Sequence, residues 1–106
     1  MQITITARHA EVPALAEEML RAKAERLDRL GHKLSGLHAI FDREKYLYTA
    51  ELTLSTKGAR LVGRAKHPTD LLTCMEEALA KLERQLQRRQ EKQVGQARRR
   101  VPHRPA

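Results

Sequence analysis

The sequence predicts an α+β two-layer sandwich in the order β-α-β-β-β-α, with two helices on one face of a four-stranded mixed sheet. Four stretches alternate apolar and polar residues with the period of a strand, and two longer stretches repeat apolar residues with the period of a helix. Glycine or proline falls between several of these stretches. All of them lie within residues 1–93, so we expect one domain there and a basic, disordered tail over 94–106.

The first strand and the first helix are predicted from the opening third of the chain. Gln2–Arg8 alternates Ile3, Ile5 and Ala7 with polar residues, as a half-buried strand does. Pro13 suits the first turn of a helix, and Gly31 is placed to end it about five turns later. The apolar face of this helix consists of Val12, Ala16, Met19, Leu20, Leu27 and Leu30.

Three further strands are predicted over residues 37–43, 46–56 and 60–67. The last two are joined by residues 56–59, where Gly58 can supply the positive φ that a hairpin turn requires. Alternation places one set of side chains toward the core: Leu37, Ala39, Phe41, Ala50, Leu52, Leu54, Leu61, Gly63 and Ala65. The opposite face is polar enough to meet water and carries Thr49, Glu51, Thr53, Arg60, Arg64 and Lys66.

The last helix is predicted to start after a capping Thr69 or Asp70 and to run to about Gln93. At about 100° per residue, a core stripe spans a sector of about 80° and holds Leu72, Met75, Leu79, Leu82 and Leu86. A second sector of the same width lies roughly 200° away and holds Lys81, Arg84, Arg88 and Lys92, which extend about 16 Å along the axis. One side of this helix therefore packs, and the other presents cations.

The charge of the chain is concentrated at its C-terminal end. Residues 81–106 hold nine Lys/Arg against two acids, whereas residues 1–80 hold twelve against eleven, so +7 of the net +8 lies in the last quarter. Clustered cations favour a polyanion because they release the counterions condensed on its phosphates. Nucleic acid is therefore the leading partner. The candidate nucleic-acid-binding residues are Lys23, Arg26 and Arg29 of the first helix, which widen the strip if the helices pack side by side, and Lys81, Arg84, Arg88, Arg89 and Lys92 of the last.

Other function classes find less support in the sequence. The five histidines are scattered, the glycines are isolated and Cys74 is the single cysteine, so we expect no enzyme, metal, cofactor or small-molecule substrate. The absence of a long apolar run predicts a cytoplasmic protein without a membrane partner. Two alternatives stay open: a generic double-stranded-RNA-binding module, and an assembly module whose last helix pairs with a partner helix through its leucines. We expect those leucines to pack in the core instead, which predicts that the free protein is a monomer.

The chain resembles the bacterial ribosome hibernation factors, the family of short hibernation-promoting factors and the ribosome-associated inhibitor. The resemblance lies in the opening Gln2-Ile3-Thr4-Ile5-Thr6, in Lys66-His67 before an Asp-led helix, and above all in Lys81-Leu82-Glu83-Arg84-Gln85-Leu86. It implies a fold resembling a double-stranded-RNA-binding domain, and a protein that binds the small ribosomal subunit in its decoding channel through a basic two-helix face. There it would contact ribosomal RNA and block mRNA and tRNA under stress or in stationary phase.

The same resemblance assigns residues by position. Lys23 and Arg26 match basic positions of the family's first helix, Lys81 and Arg84 match those of its last helix, and Arg88 lies in the basic continuation. The chain departs from the family in its tail, which ends without any acidic residue, so the resemblance does not fix the subtype.

Overall fold

The predicted order of elements and the α+β class are confirmed by the computed structural model, which describes residues 1–29 and 33–100, the backbone alone over 90–100. The elements are β1 (Gln2–Arg8), α1 (Ala14–Leu27), β2 (Leu34–Glu44), β3 (Leu47–Thr56), β4 (Ala59–His67) and α2 (Leu71–Arg100). Neither helix, within these residues, carries an apolar stretch long enough to cross a membrane.

The strands form one sheet in the order β1-β2-β3-β4, so β1 and β4 are its edges. β1 is parallel to β2, whereas β2–β3 and β3–β4 pair antiparallel, which makes the sheet mixed as predicted. Ala39 lies opposite Leu52, and Leu52 lies opposite Gly63, so the predicted inward residues of three strands share one face. All nine of them are buried except Leu61, which is partly buried. The alternation in the sequence therefore identified the inward-facing residues correctly.

Both helices bury their apolar sides in a single core with this face of the sheet. α1 contributes Ala16, Leu20 and Ala24, and α2 contributes the predicted Met75, Leu79, Leu82 and Leu86. Leu71, Cys74 and Ala78 of α2 are buried as well, because a helix lying flat on a sheet buries a wider stripe than the predicted sector of about 80°. Each large aliphatic side chain buried in this way stabilises the fold by roughly 1.5–3 kcal/mol.

Cys74 fills a small space in this core. Its Sγ donates to the backbone oxygen of Ala65 at 3.2 Å and lies 3.6 Å from that of Tyr48. Burial raises the pKa of the Cys74 thiol, since a thiolate would lose its hydration there. The thiol is therefore a packing group.

Gly63 lets α2 approach β4 closely. A Cβ atom at this position would lie 2.4 Å from the backbone oxygen of Ala78 and 3.1 Å from Cγ of Leu82. No side chain fits between strand and helix at this crossing, so the absence of a Cβ sets the distance between them. This contact fixes where α2 lies above the edge of the sheet.

Two turn predictions are confirmed and several boundaries differ. Gly58 has a φ of 84°, and Asp70 caps α2 through its carboxylate. α1 ends at Leu27, and the predicted Leu30 and Gly31 lie outside the described residues. β2 starts at Leu34, three residues earlier than predicted, and its pairing with β3 continues to Leu34 across a register shift between Leu34 and Gly36. The backbone of α2 is helical to Arg100, beyond the predicted end at Gln93, through a segment rich in glutamine, alanine and arginine.

Candidate nucleic-acid interface

Helix α2 is held at its start by a network around Asp70. The Asp70 carboxylate accepts from the backbone N–H of Leu72 at 3.1 Å and from the hydroxyl of Thr73 at 2.6 Å. The ring of His67 accepts from the backbone N–H groups of Thr69 and Asp70. The bond from Thr73 is the main reason why the pKa of Asp70 lies below its ordinary value. The cap orients the helix that carries most of the predicted cations.

One flank of α2 covers the exposed edge of β4. The Lys81 ammonium group donates to the backbone oxygen of Arg64, and the Gln85 side-chain amide donates to that of Val62 at 2.7 Å. β4 is an edge strand, so these carbonyls point away from β3 and would otherwise face water. Lys81 and Gln85 are one helical turn apart and mark this side of α2 as its β4 flank.

The other flank of α2 meets α1. Nζ of Lys23 lies 3.6 Å from Oε1 of Glu83, and both side chains are less than half exposed. Lys23 therefore lies where the two helices, which share one core, come together. The pairing of Lys23 with Glu83 was not predicted, because helical periodicity does not tell which flank of α2 faces α1. This ion pair offsets the charge of Lys23 on the α1 flank.

The exposed cations of α2 lie between these flanks and toward β4. At about 100° per residue, Lys81, Arg84 and Arg88 lie about 100–160° away from Glu83 around the axis. Arg84 and Arg88 are exposed, and Nε of Arg84 is 3.4 Å from the backbone oxygen of Ala80 in its own helix. Among side chains described through Arg89, no carboxylate forms an ion pair with Arg84 or Arg88.

The remaining predicted residues are distributed as follows. Arg26 and Arg29 are exposed on α1 and just after it, and Arg89 is half-buried on α2. Lys92 lies where only the backbone is described. The structure thus brings Lys81, Arg84 and Arg88 onto one side of α2, whereas Lys23, Arg26 and Arg29 lie in or just after α1, beyond Glu83.

A further group of cations lies on β4 and was not among the candidate residues. Arg60, Arg64 and Lys66 occupy alternate positions of this strand, on the sheet face that the helices leave uncovered, and all three are exposed. The sequence had assigned them to a water-facing strand surface. Their closeness to α2 depends on the order of the strands in the sheet, which the alternation of apolar and polar residues does not predict.

Other candidate sites are weak. No group of three metal-binding side chains occurs in the described part of the chain. A groove at the start of α1 is lined by His9, Glu11, Arg43 and Tyr48, and none of the predicted cations reaches it. The leucines that would form a helix-pairing seam are buried or partly buried under the sheet, so α2 could pair through them only by leaving the core.

Two relatives named as ribosome hibernation promoting factors are similar over most of the chain. The ribosome hibernation promoting factor of Pseudomonas putida is 30% identical over 93 residues, covering 88% of this chain and 90% of that protein. The ribosome hibernation promoting factor of Azotobacter vinelandii is 30% identical over 94 residues, covering 89% of this chain and 87% of that protein.

Two solved structures share the fold. A ribosomal subunit interface protein from Coxiella burnetii superposes with a TM-score of 0.76 at 21% identity, covering 86% of this chain and 99% of that one. The N-terminal domain of Protein Y from Thermus thermophilus gives a TM-score of 0.70 at 21% identity, covering 83% of this chain and 98% of that one. Residues 3–94 match the model of one family, described as Sigma 54 modulation protein / S30EA ribosomal protein. The resemblance drawn from the sequence is thereby confirmed, and the chain belongs to this family.

Proposed function

We propose that this protein is a ribosome hibernation factor that binds the small ribosomal subunit in its decoding channel and blocks mRNA and tRNA. Family membership and the names of the relatives support a role on the ribosome. The observation that carries the proposal for the binding surface is the exposed pair Arg84 and Arg88. Neither has a carboxylate partner among the described side chains, and their helix is anchored to the sheet through Leu82 and Leu86.

The mechanism is steric occupancy by a rigid body. Phosphates of ribosomal RNA bind the exposed cations of α2, with Arg26 and Arg29 near the end of α1 beside them, and each contact releases condensed counterions. Base reading contributes little, because the aromatic residues are Phe41, which is buried, and two tyrosines at or beside the β2–β3 turn. The protein needs no chemical step, since filling the channel is sufficient to exclude mRNA and tRNA.

The test is co-sedimentation of the double variant Arg84→Glu/Arg88→Glu with purified small ribosomal subunits. Both side chains are exposed on α2, so the fold should be retained, as checked by circular dichroism. Each lost contact of a charged hydrogen bond costs about 1.5 kcal/mol or more, so binding should weaken by at least about a hundredfold. Lys81 is left unchanged because its ammonium group bonds the backbone of β4.

The matched control is Arg21→Glu/Lys45→Glu, which reverses two exposed cations on α1 and at the β2–β3 turn. This control should bind subunits nearly as the unmutated protein does. If the Arg84/Arg88 variant binds equally well, the RNA surface lies elsewhere. Addition of excess RNA duplex distinguishes the proposed function from a generic double-stranded-RNA-binding module. Any duplex would displace such a module from the subunits, whereas a hibernation factor should stay bound.

A further inference from the structure

We propose that β4 supplies a second set of phosphate contacts, through Arg60 and Lys66, that continues the cationic flank of α2 around the edge of the sheet. The inference rests on the proposed function and extends it to a third element of the fold. It assigns RNA binding to the uncovered sheet face beside α2.

The pairing register shows which of these cations are available. Lys66 lies opposite Thr49, Arg64 opposite Glu51, and Arg60 opposite Ser55. The guanidinium of Arg64 lies 3.2 Å from the Glu51 carboxylate, so its charge is largely offset. Arg60 and Lys66 face hydroxyl residues instead, and the ion pairs of the described chain include neither.

The geometry of β4 suits a phosphate backbone. Residues on one face of a strand repeat about every 6.6 Å, so Arg60 and Lys66 mark the ends of a strip about 20 Å long. Ser and Thr hydroxyl groups also donate to phosphates, and Ser55 and Thr49 lie beside the two cations on the same face. The surface offers charge and hydroxyl donors without aromatic side chains, which suits sequence-independent binding to RNA.

Lys81 connects this strip to the cations of α2. Its ammonium group contacts the backbone oxygen of Arg64, so it lies at the edge where helix and strand meet. Toward α1, by contrast, Glu83 interrupts the positive surface by pairing with Lys23. The exposed cations outside the ion pairs of the described side chains therefore run from Arg84 and Arg88 over Lys81 to Arg60 and Lys66 on β4, with the Arg64–Glu51 pair lying between the last two.

Protection of the sheet edge is the competing explanation for cations on β4, since charged side chains discourage pairing with another strand. On this molecule Lys81 and Gln85 already bond the edge carbonyls of Arg64 and Val62. The edge is therefore covered by α2, and Arg60 and Lys66 are not needed for that purpose.

The test measures how the affinity for purified small ribosomal subunits depends on salt. In Arg60→Gln/Lys66→Gln, affinity should fall at least about tenfold, and the log-log slope against salt should decrease by about 2, one unit for each lost phosphate contact. The matched control Arg21→Gln/Lys45→Gln removes the same charge from positions away from β4 and should leave the slope unchanged.

The outcomes separate this inference from the function on which it rests. If Arg60→Gln/Lys66→Gln keeps the affinity and slope of the unmutated protein while Arg84→Glu/Arg88→Glu loses binding, β4 makes no contact and the inference is overturned alone. Equal decreases in slope for both glutamine variants would indicate a general charge effect and overturn it as well. If the unmutated protein does not bind subunits, both the inference and the proposed function fail.

Discussion

Replacement of Gly63 by alanine tests the packing that places α2 above β4. The new Cβ would lie 2.4 Å from the Ala78 backbone oxygen, whereas carbon and oxygen atoms in close contact are ordinarily about 3.3–3.6 Å apart. Strand and helix would have to separate by about 1 Å. Because the obstructing atom belongs to the backbone of α2, no rotation of a side chain can relieve the clash.

The expected loss of stability follows from this displacement. Overpacking a buried site costs about 1–3 kcal/mol, and a backbone obstruction belongs to the upper part of that range. For a domain of this size, about 2–3 kcal/mol lowers the melting temperature by roughly 10–20 °C. The loss should appear as a lower urea midpoint in circular dichroism, with an unchanged slope of the free energy of unfolding against urea.

Gly36→Ala is the matched control, because it makes the same chemical change in the same sheet. Its Cβ would lie 3.3 Å from the backbone oxygen of Gln2, a contact that a shift of a few tenths of an ångström relieves. The loss of stability should therefore be clearly smaller than for Gly63→Ala. If the free energy of unfolding of Gly63→Ala lies within about 0.5 kcal/mol of that of the unmutated protein, α2 does not approach β4 as described.

The remaining predictions concern two titratable groups, Asp70 at the cap of α2 and Cys74 within that helix. The pKa of Asp70 in the folded protein is lowered chiefly by the hydrogen bond from the Thr73 hydroxyl. The Asp70 carboxylate therefore stabilises the fold above the ordinary aspartate pKa of about 3.9, and this stabilisation is lost as pH falls through the lower pKa of the folded state. Between about pH 5 and about pH 3, the free energy of unfolding of Asp70→Ala should therefore fall less than that of the unmutated protein. An equal fall in both proteins would contradict this. The pKa of Cys74 is raised by burial, so its contribution to stability should decline as pH rises above about 8.5. Iodoacetamide should modify Cys74 at least about a hundredfold more slowly in the folded than in the urea-unfolded protein, and equal rates would show that the thiol is accessible.

The features that the sequence predicted correctly depend on local periodicity. Alternation along β2 and β3 identified the buried side chains, because successive side chains of a strand point to opposite faces of the sheet. The positive φ of Gly58 and the cap at Asp70 follow from the chemistry of single residues. The stripe on α2 was predicted because helical periodicity fixes which side chains point the same way.

The features that the sequence did not predict depend on which elements become neighbours. Periodicity gave the angle between Glu83 and Arg84 on α2, but not which flank would face α1. The pairing of Lys23 with Glu83 and the contact of Lys81 with β4 require the order of the strands. Arg60 and Lys66 therefore entered the candidate surface only when the sheet placed β4 beside the cationic side of α2.

The most direct measurement of the central claim is cleavage of ribosomal RNA by hydroxyl radicals from an iron chelate attached next to Arg88. Gln87→Cys provides an exposed attachment point on α2, and Cys74 is buried and should not compete for the label. Tyr46→Cys is the control, because Tyr46 is 84% exposed at the β2–β3 turn. We predict strong, localised cleavage of small-subunit RNA from position 87 and much weaker cleavage from position 46. Equal or stronger cleavage from position 46, or cleavage confined to large-subunit RNA, would contradict the claim that the cations of α2 hold the protein on the small subunit.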